Sequence, residues 1–251
     1  MCYNTQARDQ QGGYGVPGEV ARNLQGVRER IARAASRVGR SPDEVTLVVV
    51  TKTWPTEVVR EAIAAGAEHI GENYVQEARE KRAQIPDPVT WHLIGHLQSN
   101  KAGQAAALFD IIHTVDSLHL AERLSRHAVA AGRNLEVLVE VNISGEASKF
   151  GVAPEEAGAL MDALGALPGI RPSGLMGMPP FSADPEEARP YFRRLRALWE
   201  ALPPAYRRHL SMGMSGDFEV AVEEGATLVR VGSAIFGPRR ARATGTHDRQ
   251  P

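Results

Sequence analysis

The sequence predicts an α/β fold: a single closed (β/α)8 TIM barrel with an extra helix at its N-terminal side. Three observations carry that expectation. Short apolar runs alternate eight times with amphipathic stretches. The runs are near-continuous in apolar residues, as parallel strands covered on both faces must be. No Pro/Gly/Ser-rich linker or composition break divides the 251 residues, a length at which closed α/β barrels occur as one unit. An open doubly wound sheet would give the same strands, but eight βα units in so short a span favour closure.

The first 16 residues are rich in Gly and Gln, and residues 240–251 are polar and aperiodic. Both are expected to be disordered tails, leaving 17–239 as the barrel domain. A first helix is expected from about Val20 to Val38, because Leu24, Val27, Ile31, Ala34 and Ala35 recur at helical spacing among arginines. The expected strands are TLVVVTK (46–52), HIGEN (69–73), WHLIG (91–95), IIHTV (111–115), EVLVEVNI (136–143), GLMGM (174–178), HLSMG (209–213) and TLVRVG (227–232). A helix should follow each, starting near Pro55, Tyr74, Ser99, Ser117, Pro154, Asp184, Asp217 and Ser233. Pro55, Pro154 and Ser117 are themselves helix-start residues.

Composition narrows the function. Apolar residues make up 43%, charged residues 24%, and the formal net charge is −1. That near-balance lacks the basic excess of a nucleic-acid binder. No run approaches the roughly 18 apolar residues that span a bilayer, and the N-terminus does not read as a secretory signal. One cysteine, Cys2, makes neither an internal disulfide nor a cysteine-rich metal site. A cytoplasmic, reduced protein is expected, without membrane partners. A monomer is also expected, because no apolar stripe stands out once the barrel is built. Only four lysines are present: Lys52, Lys81, Lys101 and Lys149.

In a barrel, functional groups gather at the C-terminal strand ends, and loops after strands 7 and 8 commonly hold a phosphate. Alternation puts Val48, Val50 and Lys52 on one face of strand 1. If that face is the inner one, the amine sits in the barrel mouth, where desolvation makes it nucleophilic; a lysine merely snorkelling from the strand end is the plainer reading. The ends of strands 7 and 8 read Gly213-Met214-Ser215-Gly216 and Arg230-Val231-Gly232-Ser233. Their glycines let backbone approach a ligand, and Ser215 and Ser233 add hydroxyls beside backbone N–H groups that favour an anion. Arg230 lies within an apolar strand, where a guanidinium is costly without a partner; it serves either an internal ion pair or a ligand acceptor. Asn73 either faces a ligand or caps the next helix. His92 and His96, about 13 Å apart along a strand, cannot chelate one ion, so no metal is expected. Acidic residues crowd the helices rather than the strand ends, which gives no support for carboxylate-pair hydrolysis. An amine on strand 1, a phosphate cradle and an inward arginine suggest a phosphorylated aldehyde held as a Schiff base, with pyridoxal 5'-phosphate the leading candidate.

The blocks VTKTWP, GAEHIGENYVQEA, WHLIGHLQSNKA, VNISGEASKFGV, GLMGMPPF and LSMGMSGDFEVAVEEGATLVRVGSAIFG resemble the pyridoxal-phosphate homeostasis protein family, also called the YggS/PROSC family. The fold of that family is similar to the N-terminal barrel of alanine racemase, and the likeness spans roughly Val20 to Arg239. The resemblance implies that Lys52 forms the Schiff base and that Ser215, Gly232 and Ser233 hold the phosphate, with Gly216 in the same loop. It also implies that Arg230 faces the pyridine nitrogen and Asn73 lies near the ring. Ser233 stands where threonine is common, and Gly216 where many relatives carry a polar residue.

An arginine against the ring nitrogen keeps it unprotonated and makes a poor electron sink. The expected function is therefore a carrier in pyridoxal phosphate homeostasis that passes the cofactor transiently to apo-enzymes, not an enzyme. A small racemase-like enzyme and a Schiff-base aldolase are the alternatives. Lys149 could be a secondary amine or a solvated loop residue.

Overall fold

The computed structural model describes residues 18–146 and 149–238; the two expected tails, 1–16 and 240–251, lie outside the described residues. Eight strands close into one barrel in chain order. They are β1 (Thr46–Val50), β2 (His69–Glu72), β3 (Thr90–Leu93), β4 (Ile111–Val115), β5 (Leu135–Val141), β6 (Ile170–Gly177), β7 (His209–Ser211) and β8 (Leu228–Val231). All neighbours are parallel, and β1 against β8 completes the ring, with Thr46 opposite Leu228 and Val49 opposite Val231. The expected (β/α)8 barrel is the observed fold.

A leading helix, α1 (Glu19–Arg37), precedes the barrel. The strands are followed in turn by α2 (Thr56–Ala64), α3 (Val75–Arg82), α4 (Ala102–Leu108), α5 (Leu118–Ala130), α6 (Ala157–Gly165), α7 (Arg189–Ala201), α8 (Phe218–Glu223) and α9 (Ser233–Phe236). The start signals work locally. Ser117 accepts the Leu120 N–H at the head of α5, and Pro55 flanks α2.

The main apolar core lies between the strands and the helices, around Trp91, Phe109, Phe192 and Phe218. α1 buries Leu24, Val27 and Ile31 there, each worth about 1.5–3 kcal/mol. It also fastens the last helices to the barrel. Asn23 donates to the Ile235 carbonyl (2.9 Å), and Arg40 to the Val222 and Ala226 carbonyls (2.7 and 3.0 Å).

The barrel interior is different. Its separate apolar cluster holds only Val48, Leu138, Met176 and Leu228. The rest of the interior carries buried polar groups, among them His92, His113, Glu136, Glu140, Ser211 and Arg230. Each must find partners or shift its charge state.

Candidate functional site

Two strand ends build the site. At the first, Thr51 turns away from the lumen: its Oγ1 donates to Glu72 Oε1 (2.6 Å), beside the buried Lys81 of α3. Lys81 Nζ donates to the Thr51 carbonyl (2.6 Å), Glu72 Oε1 (2.6 Å) and Glu77 Oε1 (2.7 Å). Glu77 also accepts the Thr53 N–H (2.5 Å). Thr53 has φ +70, the one non-glycine positive φ among the described residues, a conformation such a clamp must hold. Thr51 thus faces the helices, and Lys52 follows it in the turn after β1. Burial raises the Glu72 carboxyl, and Lys81 opposes the rise. The sequence reading missed Lys81; its signal was Glu77 four residues earlier on the same helix face.

At the second end, β8 lies beside β1 with Val48 opposite Arg230. A Cβ on Gly232 would lie 3.1 Å from the Val50 carbonyl oxygen. The Gly232-Ser233 turn therefore abuts β1 two residues before Lys52. Ser215 Oγ accepts the N–H groups of Gly232 (3.2 Å) and Ala234 (3.3 Å), which draws the β7 and β8 loops together. Gly213 is the glycine this corner needs: its φ is +90, and a Cβ would lie 2.5 Å from Ala221 Cβ. Gly216 sits in the same loop but is exposed, and a Cβ there meets nothing within 4 Å.

Arg230 is 4% exposed. Its Nη1 donates to Ser211 Oγ (2.6 Å) and its Nη2 to the Gly177 carbonyl (3.4 Å). Among the described residues no carboxylate forms an ion pair with it, so the internal-pair alternative falls. Burial pulls its pKa down to about 10, with Asp217 and Glu140 opposing, and it stays cationic at neutral pH. Asn73 does not cap α3, whose cap position is Tyr74. Its Oδ1 is buried without a hydrogen-bond partner.

One expectation needs correction. Carboxylates are not confined to helices: Glu72, Glu136 and Glu140 are buried on strands. In LEVLVEV, Glu136, Leu138 and Glu140 share one face, a period-two signal hidden in an otherwise apolar run. Burial pushes the Glu140 pKa up to about 7, Asp116 adding to the rise and Arg230 opposing it. Burial also acts to raise Glu136, but His209, whose Nε2 lies 3.0 Å from Oε1, and the Arg171 charge outweigh it and hold it at about 2.

The remaining candidates separate. His92 is in the lumen, while His96 stacks on Phe150 with ring centroids 3.7 Å apart. Among the described residues no group of three or more His, Cys, Asp or Glu is placed to hold a metal ion. Lys149 Nζ lies 3.5 Å from Glu146 Oε1. Tyr74, Phe150, Phe181 and Met214, in loops after β2, β5, β6 and β7, are exposed. They are single side chains on four separate loops. A cavity of about 530 Å3 opens at the other end, lined by residues that include His69, Glu136, Arg171 and His209. Among the described residues no helix is long and apolar enough to cross a membrane.

Comparison with known proteins bears on the fold and the family. The family described as alanine racemase, N-terminal domain, matches residues 23–240. The pyridoxal phosphate homeostasis protein of Pseudomonas aeruginosa is 47% identical over 221 residues, covering 88% of this chain and 96% of that one. The protein of the same name from Aquifex aeolicus is 43% identical, covering 86% and 97%. Among solved structures, PipY of Synechococcus elongatus, with PLP bound, superposes with a TM-score of 0.75 at 38% identity, covering 87% of this chain and all of that one. The fold and the site define a racemase-type barrel, and within that class the chain belongs to the pyridoxal phosphate homeostasis protein family.

Proposed function

We propose that this protein holds pyridoxal 5'-phosphate as a Schiff base on Lys52 and serves intracellular pyridoxal phosphate homeostasis without catalytic turnover, releasing the cofactor to apo-enzymes that depend on it. The observation that carries the reading is the meeting of β1 and β8 at one rim: Gly232 packs on Val50, two residues from Lys52. When bound, the cofactor supplies an aldehyde carbon for an amine, a phosphate dianion and a weakly basic ring nitrogen.

The residues fit those three needs. Ser215 Oγ and Ser233 Oγ are donors for the dianion, and the Gly232 and Ala234 N–H groups donate to Ser215 Oγ, so that its own O–H is left to donate. Arg230, cationic and without a carboxylate, suits an acceptor nitrogen and keeps it unprotonated. Asn73 brings an unsatisfied polar group to the same end. The PLP-bound relative supports binding of the cofactor. An unprotonated ring withdraws electrons poorly, so amino-acid turnover is disfavoured.

Borohydride reduction of the cofactor-loaded protein, followed by peptide mapping, tests the reading. The reduced adduct should map to Lys52 and disappear in Lys52→Ala. An adduct that persists on Lys149 in that variant would move the Schiff base elsewhere. A second reading, a small racemase-like enzyme, draws on Glu140, whose near-neutral pKa suits proton transfer. Loaded protein incubated with single L-amino acids in deuterated water separates the two. Rapid α-proton exchange would establish turnover; none is expected.

A further inference from the structure

Behind Arg230 runs a line of polar side chains that holding a cofactor does not by itself require. Arg230 Nη1 lies 2.6 Å from Ser211 Oγ. Ser211 Oγ lies 2.9 Å from His113 Nδ1, His113 Nε2 2.8 Å from His92 Nδ1, and His92 Nε2 2.9 Å from His69 Nδ1. Ser211, His113 and His92 are 0% exposed, on β7, β4 and β3. His69, on β2, is partly exposed and lines the cavity at the N-terminal mouth. The line crosses the lumen from Arg230 to the opposite opening.

One proton assignment satisfies every link. A guanidinium only donates, so Ser211 Oγ accepts from Arg230 and turns its own O–H to His113 Nδ1. His113 then carries its proton on Nε2 and donates to His92 Nδ1. By the same logic His92 carries its proton on Nε2 and donates to His69 Nδ1. Reversing the direction leaves the Ser211 hydrogen without an acceptor among the described hydrogen bonds. Protonating His92 makes two donors face each other at its link to His113, and protonating His113 leaves the Ser211 hydrogen without an acceptor. Arg230 therefore dictates the tautomers of His113 and His92.

We propose that Ser211, His113 and His92 are positioning residues that form a one-way hydrogen-bond ladder, solvating the Arg230 guanidinium with oriented dipoles in place of a carboxylate. A carboxylate partner would cancel the charge, and no partner would make burial prohibitive. A chain of aligned dipoles lowers the cost and leaves the charge acting toward the mouth. The charged and titratable groups facing the ladder are Arg230 on β8, His209 on β7, Glu136 on β5 and His69 on β2, with Glu140 on β5 and Asp217 at the head of α8 acting on Arg230. Burial, these histidine neighbours and, for His113, Arg230 keep the two inner imidazoles neutral, Glu136 alone opposing at His92. The consequence at the cofactor rests on the proposed function; the ladder does not.

The test therefore has two arms. In the full chain without cofactor, labelled with 15N-histidine, nitrogen NMR should show His113 and His92 with bare Nδ1 and protonated Nε2, unchanged where exposed histidines titrate. In Arg230→Met both tautomers should appear. A His113 carrying its proton on Nδ1, or either ring titrating with the exposed histidines, overturns the ladder. In the loaded protein, Ser211→Ala and His113→Leu should shift the pH profile of the cofactor's visible spectrum, and Ser211→Thr and His113→Gln should restore it. Profiles identical to the parent in all four variants, with the Lys52 adduct intact, would overturn the positioning role. A parent that gives no Lys52 adduct defeats the cofactor reading, and the NMR arm still decides the ladder.

Discussion

Replacing Glu140 by Gln probes the polar lumen directly, because it removes one titrating proton and keeps the shape. Glu140 is 3% exposed, one carboxylate oxygen has no hydrogen-bond partner, and its pKa in the folded protein is about 7 against 4.5 for an ordinary glutamate. Between those values the folded protein keeps a proton that the unfolded chain releases. Stability therefore falls as pH rises from about 4.5 to about 7 and levels off above. At 1.36 kcal/mol per unit, the folded state of the parent loses about 2.5 kcal/mol between about pH 5 and pH 8. Glu140→Gln cannot titrate and lacks that slope, while groups common to both proteins, such as His92 and His113, cancel in the difference. Urea unfolding at several pH values across this range measures it, provided the m-values agree. The variant should gain about 2.5 kcal/mol relative to the parent over the range. A difference constant within about 0.5 kcal/mol would show that Glu140 is ionised inside the barrel at all these pH values, and the burial argument would fail.

Two further outcomes follow from the rim geometry. Lys81→Met leaves Glu72 buried without its cation and should cost about 3–5 kcal/mol in urea unfolding, with part recovered in the double variant Lys81→Met/Glu72→Gln; a loss under about 1 kcal/mol would mean that the clamp on Thr51 and Thr53 is idle. Gly95→Ala places a methyl 2.5 Å from the Asn73 carbonyl oxygen and 2.7 Å from its Cα, so it should displace Asn73 and weaken cofactor binding about tenfold, about 1.4 kcal/mol; unchanged affinity in an equilibrium titration would show that the position of Asn73 is not used.

Much of the architecture was readable along the chain. Each apolar run from TLVVVTK to TLVRVG became a strand, and the helix starts at Pro55, Ser117 and Ser233 stand where local rules put them. These features depend on residues within one turn or one strand, so periodicity and capping chemistry determine them without reference to the rest of the fold. That the loops after strands 7 and 8 carry Ser215 and Gly232 was readable from their turn residues; that Ser215 Oγ accepts the Gly232 N–H was not.

The chemistry inside the ring was decided only by closure. Arg230 could have been half of an ion pair until β7 set Ser211 beside it. Glu136 and Glu140 stand in an otherwise apolar run, and only the closed barrel shows them buried. Lys81 looked like any helix-surface lysine, yet it holds the strand end that carries Lys52. His113 meets Ser211 across 98 positions of sequence. The sequence by itself determined the elements, their order and the amine at the first strand end, because those follow from short-range stereochemistry. The tertiary structure decided which buried charges have partners, because partnership depends on strand register and on the walls that exclude water.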